Sequence, residues 1–387
     1  MLKSIVLNIL FLWIISTFFF SCISKNINSG SHKSNSNSEV IYHVFQRSFY
    51  DSNGDNIGDL NGLQEKLDYL QDLGVTSIQL VPLYQTVFYH NYFTDDFYKI
   101  DSTFGTMQDY IALVKEIHRR GMKIYMDKET QYVTEDHPWY KDSYNNLKSP
   151  YSDFILWKDS AHTIPETIVG NLTELKGYNG VVKRLFTVNL KSKAVLDYNI
   201  KLFSYWLDPN KDGKFDDGVD GFRFDHMMDD LDNKPQLTHL FKTFWFPLIT
   251  ALKKINPAIV NIAEQAEWNS WAVNYITKAG VDRVYSFKLM GGIRFFNKKY
   301  LTLMADSAFR IFPKGNHEVV FIDNHDLPRF ASQVHGNVAK LKIAAALNLL
   351  LGQVPSIYYG QEGGMTSGNG RNNWGMTDAN QIPEREA

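Results

Sequence analysis

Cysteine is nearly absent. The 387 residues hold one, Cys22, which excludes an internal disulfide. A strong charge of either sign is missing as well: 40 Lys and Arg face 42 Asp and Glu, a formal charge of −2, so nothing electrostatic points to a nucleic-acid partner. The end of the chain, 361–387, has no apolar periodicity and is rich in Gly and Asn. What is present in quantity is apolar and aromatic material, at 44% and 14%, enough for a large globular core. Rings at this density also suit a carbohydrate site, where sugar faces stack on them, although core packing is the commoner use.

The lone cysteine has an informative setting. Lys3 precedes an apolar run, 5–20, and Ser21-Cys22 follow it, which is the pattern of a secretory leader. A Cys directly after such a run resembles the lipobox of bacterial lipoproteins. That implies a signal peptide over 1–22, lipidation of Cys22, and an exported protein anchored to the outer membrane or cell surface. A plain signal peptide or an uncleaved anchor is the alternative. Residues 23–38, rich in Ser, Asn and Lys, read as a flexible tether.

From Glu39 onward short apolar segments alternate with longer amphipathic ones. Strands are expected at 40–49, 77–83, 123–128, 221–227, 258–264, 283–289, 318–324 and 356–359. Helices are expected at 60–73, 107–120, 192–207, 236–255, 270–278, 295–308 and 338–351. Leu63, Leu67 and Leu70, and likewise Ile111, Val114 and Ile117, repeat at helical spacing, and Gly74, Gly121, Gly280 and Gly352 stand where helices should stop. Eight strands alternating with seven helices predict a (β/α)₈ TIM barrel, its first part over 39–129 and its second over 191–387. The connection 130–190 is too long for this rhythm and carries Pro138, Pro150 and Pro165. It is read as a subdomain inserted after the third strand, walling the site at the C-terminal face. No eighth helix is visible, so the chain is expected to be a fragment or to leave its last strand poorly covered.

The chemistry centres on Gly221-Phe222-Arg223-Phe224-Asp225. Strand side chains alternate, so Arg223 and Asp225 share a face and the guanidinium favours the ionised acid. Taken alone, this is equally an ordinary strand-end ion pair. In a barrel, however, catalytic groups come from the C-terminal ends of several strands. Asp127, Glu264, His325 and Asp326 occupy comparable ends. Three carboxylates at one mouth would push at least one pKa up, separating a proton donor from an ionised nucleophile.

Together these segments resemble the alpha-amylase family, glycoside hydrolase family 13. The resemblance covers nearly the whole chain from Glu39. It rests on the 41–45 and 51–63 segments, His90-Asn91-Tyr92 with Asp96 and Phe104-Gly105-Thr106, the 221–225 segment, Ala263-Glu264, Ile322-Asp323-Asn324-His325-Asp326 and Tyr358-Tyr359-Gly360-Gln361-Glu362. It implies that Asp225 is the nucleophile, Glu264 the acid/base, and Asp326 the group that holds sugar hydroxyls. Arg223, His325, His90, Tyr92 and Asp127 would bind substrate, Tyr92 as a stacking platform. It also implies a retaining hydrolase of α-1,4 bonds in starch or maltooligosaccharides. A transglycosylase or isomerase of the family would carry the same residues. A glycan-binding pseudoenzyme is the rival of another class, suggested by the absent eighth helix and an altered third-strand motif; the β-sandwich that usually follows the family's barrel is missing as well. The third-strand motif departs from the family, with Gln131 and Tyr132 in place of Asn and His, and Asp229 replaces a His four residues after Asp225. These changes put the family's common calcium site in doubt and predict altered subsites rather than lost chemistry.

Asp51, Asn53, Asp55 and Asp59 present oxygens at alternate positions of one loop, as Ca²⁺ requires. The resemblance adds the carbonyl of Ile57 and a structural Ca²⁺. A second loop, Asp208-Pro209-Asn210-Lys211-Asp212-Gly213, copies the first half of an EF-hand loop but has Val219 at the twelfth position. Asp216 or Asp217 could compensate; a solvated acidic turn is the other reading.

Overall fold

The computed structural model describes residues 39–351 and 353–366. Cys22, the leader and the tether lie outside these residues. Eight parallel strands close a barrel, in the order β1 (Ile41–Val44), β2 (Ser77–Leu80), β3 (Lys123–Lys128), β4 (Gly221–Met227), β5 (Val260–Gln265), β6 (Arg283–Tyr285), β7 (His317–Val320) and β8 (Val354–Tyr358). Ile41 lies opposite both Ser77 and Ser356, so β1 joins its two neighbours and the sheet has no edge.

The period-two pattern sorts the core into two layers. Ile41, Tyr125, Ile262, Val319 and Val354 pack together, with Tyr285 and Phe321, inside the barrel. The alternate residues face the helices: Phe222 and Phe224 of β4 pack on Phe203, and Phe224 also on Trp245. That leaves Arg223 and Asp225 on the inner face, as the alternation requires.

The crossover helices follow from local signals. Asp59 accepts a hydrogen bond from the Gly62 amide and opens Leu60–Glu65, which continues as Leu67–Asp72 with Leu63, Leu67 and Leu70 fully buried. Thr106 and Asp109 form a capping box before Met107–Arg119. Here the buried stripe is Tyr110, Leu113, Val114 and Ile117, while Ile111 is half-buried, so the face lies one position round from that expected. The segment expected as strand over 283–289 stops at Tyr285, because Ser286 caps a helix, Phe287–Arg294. The helix expected over 270–278 shrinks to a wide turn, Tyr275–Ala279. Helical structure in 236–255 begins at Phe241 and loosens into a wide turn before Pro247, which has no amide to donate. Among the described residues no helix follows β8, and none is long and apolar enough to cross a membrane.

Two insertions stand at the C-terminal ends of the strands. After β2, Tyr84–Gln85 and Asp96–Ile100 form an antiparallel ribbon. After β3, Val182–Thr187 runs between Tyr132–Thr134 and Glu174–Lys176 in a three-stranded antiparallel sheet. Trp139 of this insertion packs on Phe154 and on Tyr198 of the following helix, Lys193–Leu207.

The closeness of β4 to β5 makes a sharp prediction. A Cβ on Gly221 would sit 1.8 Å from the Val260 carbonyl oxygen. Gly221→Ala must therefore push apart the strands that carry Asp225 and Glu264. It should destabilise by about 3 kcal/mol or more, read as a lower thermal midpoint. A second prediction concerns Glu318 of β7. Burial raises its pKa from 4.5 to about 7, with Ser286 pulling the other way. The folded state thus binds an extra proton between these values, and stability falls as pH climbs through the window. Glu318→Gln should melt like the parent at pH 4 and above it at pH 8, by about 3 kcal/mol at most. A parallel pair of melting profiles would count against this.

Candidate active site

Arg223 organises the mouth of the barrel. It is 2% exposed. Its Nη1 lies 2.8 Å from Asp127 Oδ2 and also bonds Asp225 Oδ1; its Nη2 lies 3.0 Å from Glu264 Oε1. Only a guanidinium offers donors in a rigid fork that can hold three carboxylates from three strands side by side. Of the three acids Asp225 is the most open, its side chain 17% exposed against 0% for Asp127 and 7% for Glu264.

The remaining expected residues gather round this group. Tyr92 Oη donates to Asp127 Oδ2 at 2.8 Å and lies 2.9 Å from His325 Nε2. The Tyr92 and His325 rings stack with centroids 5.6 Å apart. His325 Nε2 is 3.3 Å from Asp326 Oδ2, which brings the third expected catalytic acid to the same rim. His90 Nδ1 accepts from the Tyr92 amide at 3.0 Å. Tyr92 and His90 are each 7% exposed, so the platform is wedged between rings and offers an edge rather than an open face.

The charges separate as the chemistry needs. Burial drives the Glu264 carboxyl well above the usual carboxylate range; Arg223 opposes this, and Asp225 and Asp326 add to it. Burial also pushes Asp127 up to about 7 against the pull of Arg223, with Asp225 again adding. Tyr92 is held far above its ordinary value by burial and by Asp127, so it remains a neutral donor. The site therefore pairs a buried acid that holds its proton more tightly than usual with a more open acid next to a permanent cation.

A family model described as alpha amylase, catalytic domain, matches residues 43–385. The chain belongs to the alpha-amylase family. It is 32% identical over 343 residues to alpha-amylase 3 of Dictyoglomus thermophilum, covering 84% of this chain and 64% of that one. It is 29% identical to the trehalose synthase/amylase of Mycolicibacterium smegmatis, covering 84% and 63%. The chain thus spans a little under two thirds of these relatives' lengths. Among solved structures it resembles the alpha-amylase from H. orenii, with a TM-score of 0.72, 27% identity, and 87% and 71% coverage.

Against this family, the altered third-strand motif is rebuilt rather than vacant. Gln131 Nε2 donates to the carbonyls of Asp225 at 2.6 Å and His226 at 3.2 Å. Tyr132 Oη donates to Asp232 Oδ2 at 2.7 Å, and Asp232 also meets His226 Nε2 and Lys234 Nζ, both at 2.8 Å. These contacts hold His226 at φ +43°, a strained value for a residue with a side chain. Asp229, which stands where the family has its His, accepts from the Phe241 amide at 2.7 Å. His226, Asp232 and Lys234 line a cavity of ≈ 490 Å³ with Glu166, Ile168 and Asn171 of the insertion.

Sequence reasoning passed over three buried groups. Lys128 lies with Nζ 4.1 Å from the Trp206 ring centre and 4.4 Å from that of Tyr84. Glu129 accepts from the amides of Gln131 at 2.6 Å and Tyr132 at 2.7 Å and so shapes the rebuilt motif. Two charged residues, at the end of an apolar strand and just past it, were the available signal. His43 packs edge-on against His325 and is held neutral by burial. It shares the inner face with Ile41, which the alternation along β1 could have revealed.

The calcium loop expected over 51–59 has oxygen donors suited to that ion. Asp51, Asn53 and Asp55 each accept a backbone amide two residues on, at 3.0, 3.0 and 2.8 Å, and line an exposed loop. With the Ile57 carbonyl they occupy the spacing 1, 3, 5 and 7 of a calcium loop, and Asn56, at position 6, has φ +67°. Asp59, the remaining expected side-chain ligand, accepts from Ser52 Oγ at 2.8 Å and from the Gly62 amide at 2.6 Å.

Proposed function

We propose that this chain is a retaining α-glucan hydrolase acting on α-1,4 bonds of starch or maltooligosaccharides. The observation that carries the reading is the Arg223 fork, which bonds both Asp225 and Glu264 while burial makes Glu264 hold its proton more tightly than an ordinary carboxyl. Two carboxyls bonded to the two nitrogens of one guanidinium suit the double displacement of retaining enzymes, whose acid pair stands closer than that of inverting ones. In this mechanism Asp225 Oδ attacks the anomeric carbon and Glu264 gives its proton to the departing glycosidic oxygen. Glu264 then takes a proton from water as that water opens the ester. Asp326 and His325 hold sugar hydroxyls, and Asp127 and Tyr92 fix the ring beside them.

A structural Ca²⁺ would be held by Asp51, Asn53, Asp55, Asp59 and the Ile57 carbonyl, outside the group of acids that makes and breaks bonds. Export and anchoring through lipid on Cys22 complete the proposal; Cys22→Ser should move the protein from the membrane to the soluble fraction.

The test is the purified protein with maltotetraose, isomaltose and trehalose, following the first product by proton NMR. Release of the α-anomer from maltotetraose alone is expected. A β-anomer released first would overturn retention, and cleavage of isomaltose or trehalose in preference would overturn the linkage.

A further inference from the structure

The ladder between β4 and β5 breaks at the active site. Phe224 lies opposite Ala263 and Met227 opposite Gln265, so Asp225 and His226 together face the single residue Glu264. An extra residue of this kind is a β-bulge; it bends its strand and re-aims what the strand carries. His226 absorbs the bend at φ +43°, a left-handed conformation that a side chain disfavours. Its amide donates to Glu264 Oε2 at 3.1 Å. Arg223 Nη2 holds the other oxygen, Oε1, at 3.0 Å, so both ends of the carboxyl have a fixed partner.

A strained residue persists only where its surroundings hold it. Gln131 Nε2 grips the backbone through the Asp225 and His226 carbonyls. The ring is held by Asp232, whose Oδ1 lies 2.8 Å from His226 Nε2. Burial alone would raise the Asp232 pKa, but the bonds from His226, Lys234 and Tyr132 outweigh it and hold the acid at about 2. Asp232 is thus an ionised acceptor near neutrality, and Nε2 carries the shared proton. Its side chain is 5% exposed. Asp232 stands in the turn Leu231–Asn233, itself at φ +52°, so this anchor is separate from the β4–β5 ladder.

We propose, on the reading of Glu264 as the proton donor, that Asp232 is a positioning residue: by anchoring the His226 ring it holds the bulge in its strained form and so keeps the His226 amide on Glu264. Without the anchor the backbone relaxes toward negative φ and the amide turns away. The groups facing Glu264 are Arg223, Asp225, Asp326, Tyr275 and this amide. Burial raises the Glu264 pKa, and Asp225 and Asp326 add to it; Arg223 and the amide oppose. A hydrogen bond to the charged form favours that form, so loss of the amide lets the pKa climb further. The protonated form then persists to higher pH, but the acid is no longer aimed.

The test follows kcat and KM of the full chain for maltotetraose against pH, with thermal melting as the control for folding. Asp232→Ala should lower kcat about 10²-fold with KM little changed, and move the alkaline limb to higher pH. Glu264→Gln, run beside it, should have no alkaline limb. A limb that survives Glu264→Gln would overturn Glu264 as the donor, and the positioning role with it. A limb lost there but unmoved in folded Asp232→Ala would overturn the positioning role alone, as would a loss expressed only in KM, which marks a sugar contact. Should Asp232→Ala fail to fold, two changes at His226 decide. Both remove the ring, but glycine tolerates φ +43° and alanine does not. His226→Ala should therefore show the low kcat and the shifted limb, and His226→Gly should keep its limb near that of the parent. Two variants that behave alike would overturn the proposal.

Discussion

Asn in place of Asp225 should leave a folded protein whose hydrolysis of starch is about 10⁴-fold slower or worse. The amide oxygen can still accept from Arg223, and Arg223 keeps Asp127 and Glu264, so the cost to the fold is small. On the proposed mechanism the covalent route is lost, since an amide cannot form the glycosyl ester. A second consequence is specific to this geometry. Asp225 is one of the charges that raise Glu264, so its neutralisation lets the Glu264 pKa fall. Residual activity should therefore decline at a lower pH than in the parent. Reducing-sugar release from starch, with thermal melting as the control for folding, reads all of this. Parent-like turnover in Asp225→Asn would remove Asp225 as nucleophile. Background-level release from both proteins would favour a glycan-binding role.

The barrel was legible because its signals are periodic. Alternation along 219–225 put Arg223 and Asp225 on one shared face, and the Leu63, Leu67, Leu70 spacing marked a buried helix. The insertion was legible because 130–190 broke the rhythm. Strand ends were less so. Nothing local distinguishes Tyr285 from Phe287; the boundary is set by the Ser286 cap, a bond that a strand reading of the same letters conceals. At the site, acids were found because the chemistry demands carboxylates at strand ends. His43, Lys128 and Glu129 were not, because their roles depend on what lies across the barrel. Lys128 is tolerated between Tyr84 and Trp206, residues 44 and 78 positions away, a pairing that only the closed fold creates. Gln131 and Tyr132 show the same limit from the other side. Their departure from the family pattern was visible, but the new partners, the Asp225 carbonyl and Asp232, were not.

Glu264→Gln should separate the two halves of the reaction. On the proposed mechanism the active form needs Glu264 protonated, so turnover should fall as pH rises through its elevated pKa; the glutamine variant, having no proton to lose, should lack that alkaline limb. On starch, whose leaving oxygen needs the proton, the rate should drop by about 10²- to 10⁴-fold. On a 4-nitrophenyl α-maltooligoside the first step should persist, because the phenolate leaves unaided. The glycosyl-enzyme then accumulates, since no base activates water, and a burst of nitrophenol followed by a slow phase is expected. Azide, a nucleophile that needs no base, should restore the slow phase and yield the α-glycosyl azide. Equal losses on starch and on the nitrophenyl substrate would instead mean that Glu264 acts through Arg223, by holding Asp225 in place, and that the proton comes from elsewhere. Asp127 is the other acid raised toward neutrality, yet its side chain is fully enclosed by Arg223 and Tyr92. It can orient a bound sugar from there but has no open path to a glycosidic oxygen, which leaves Glu264 as the donor the geometry supports.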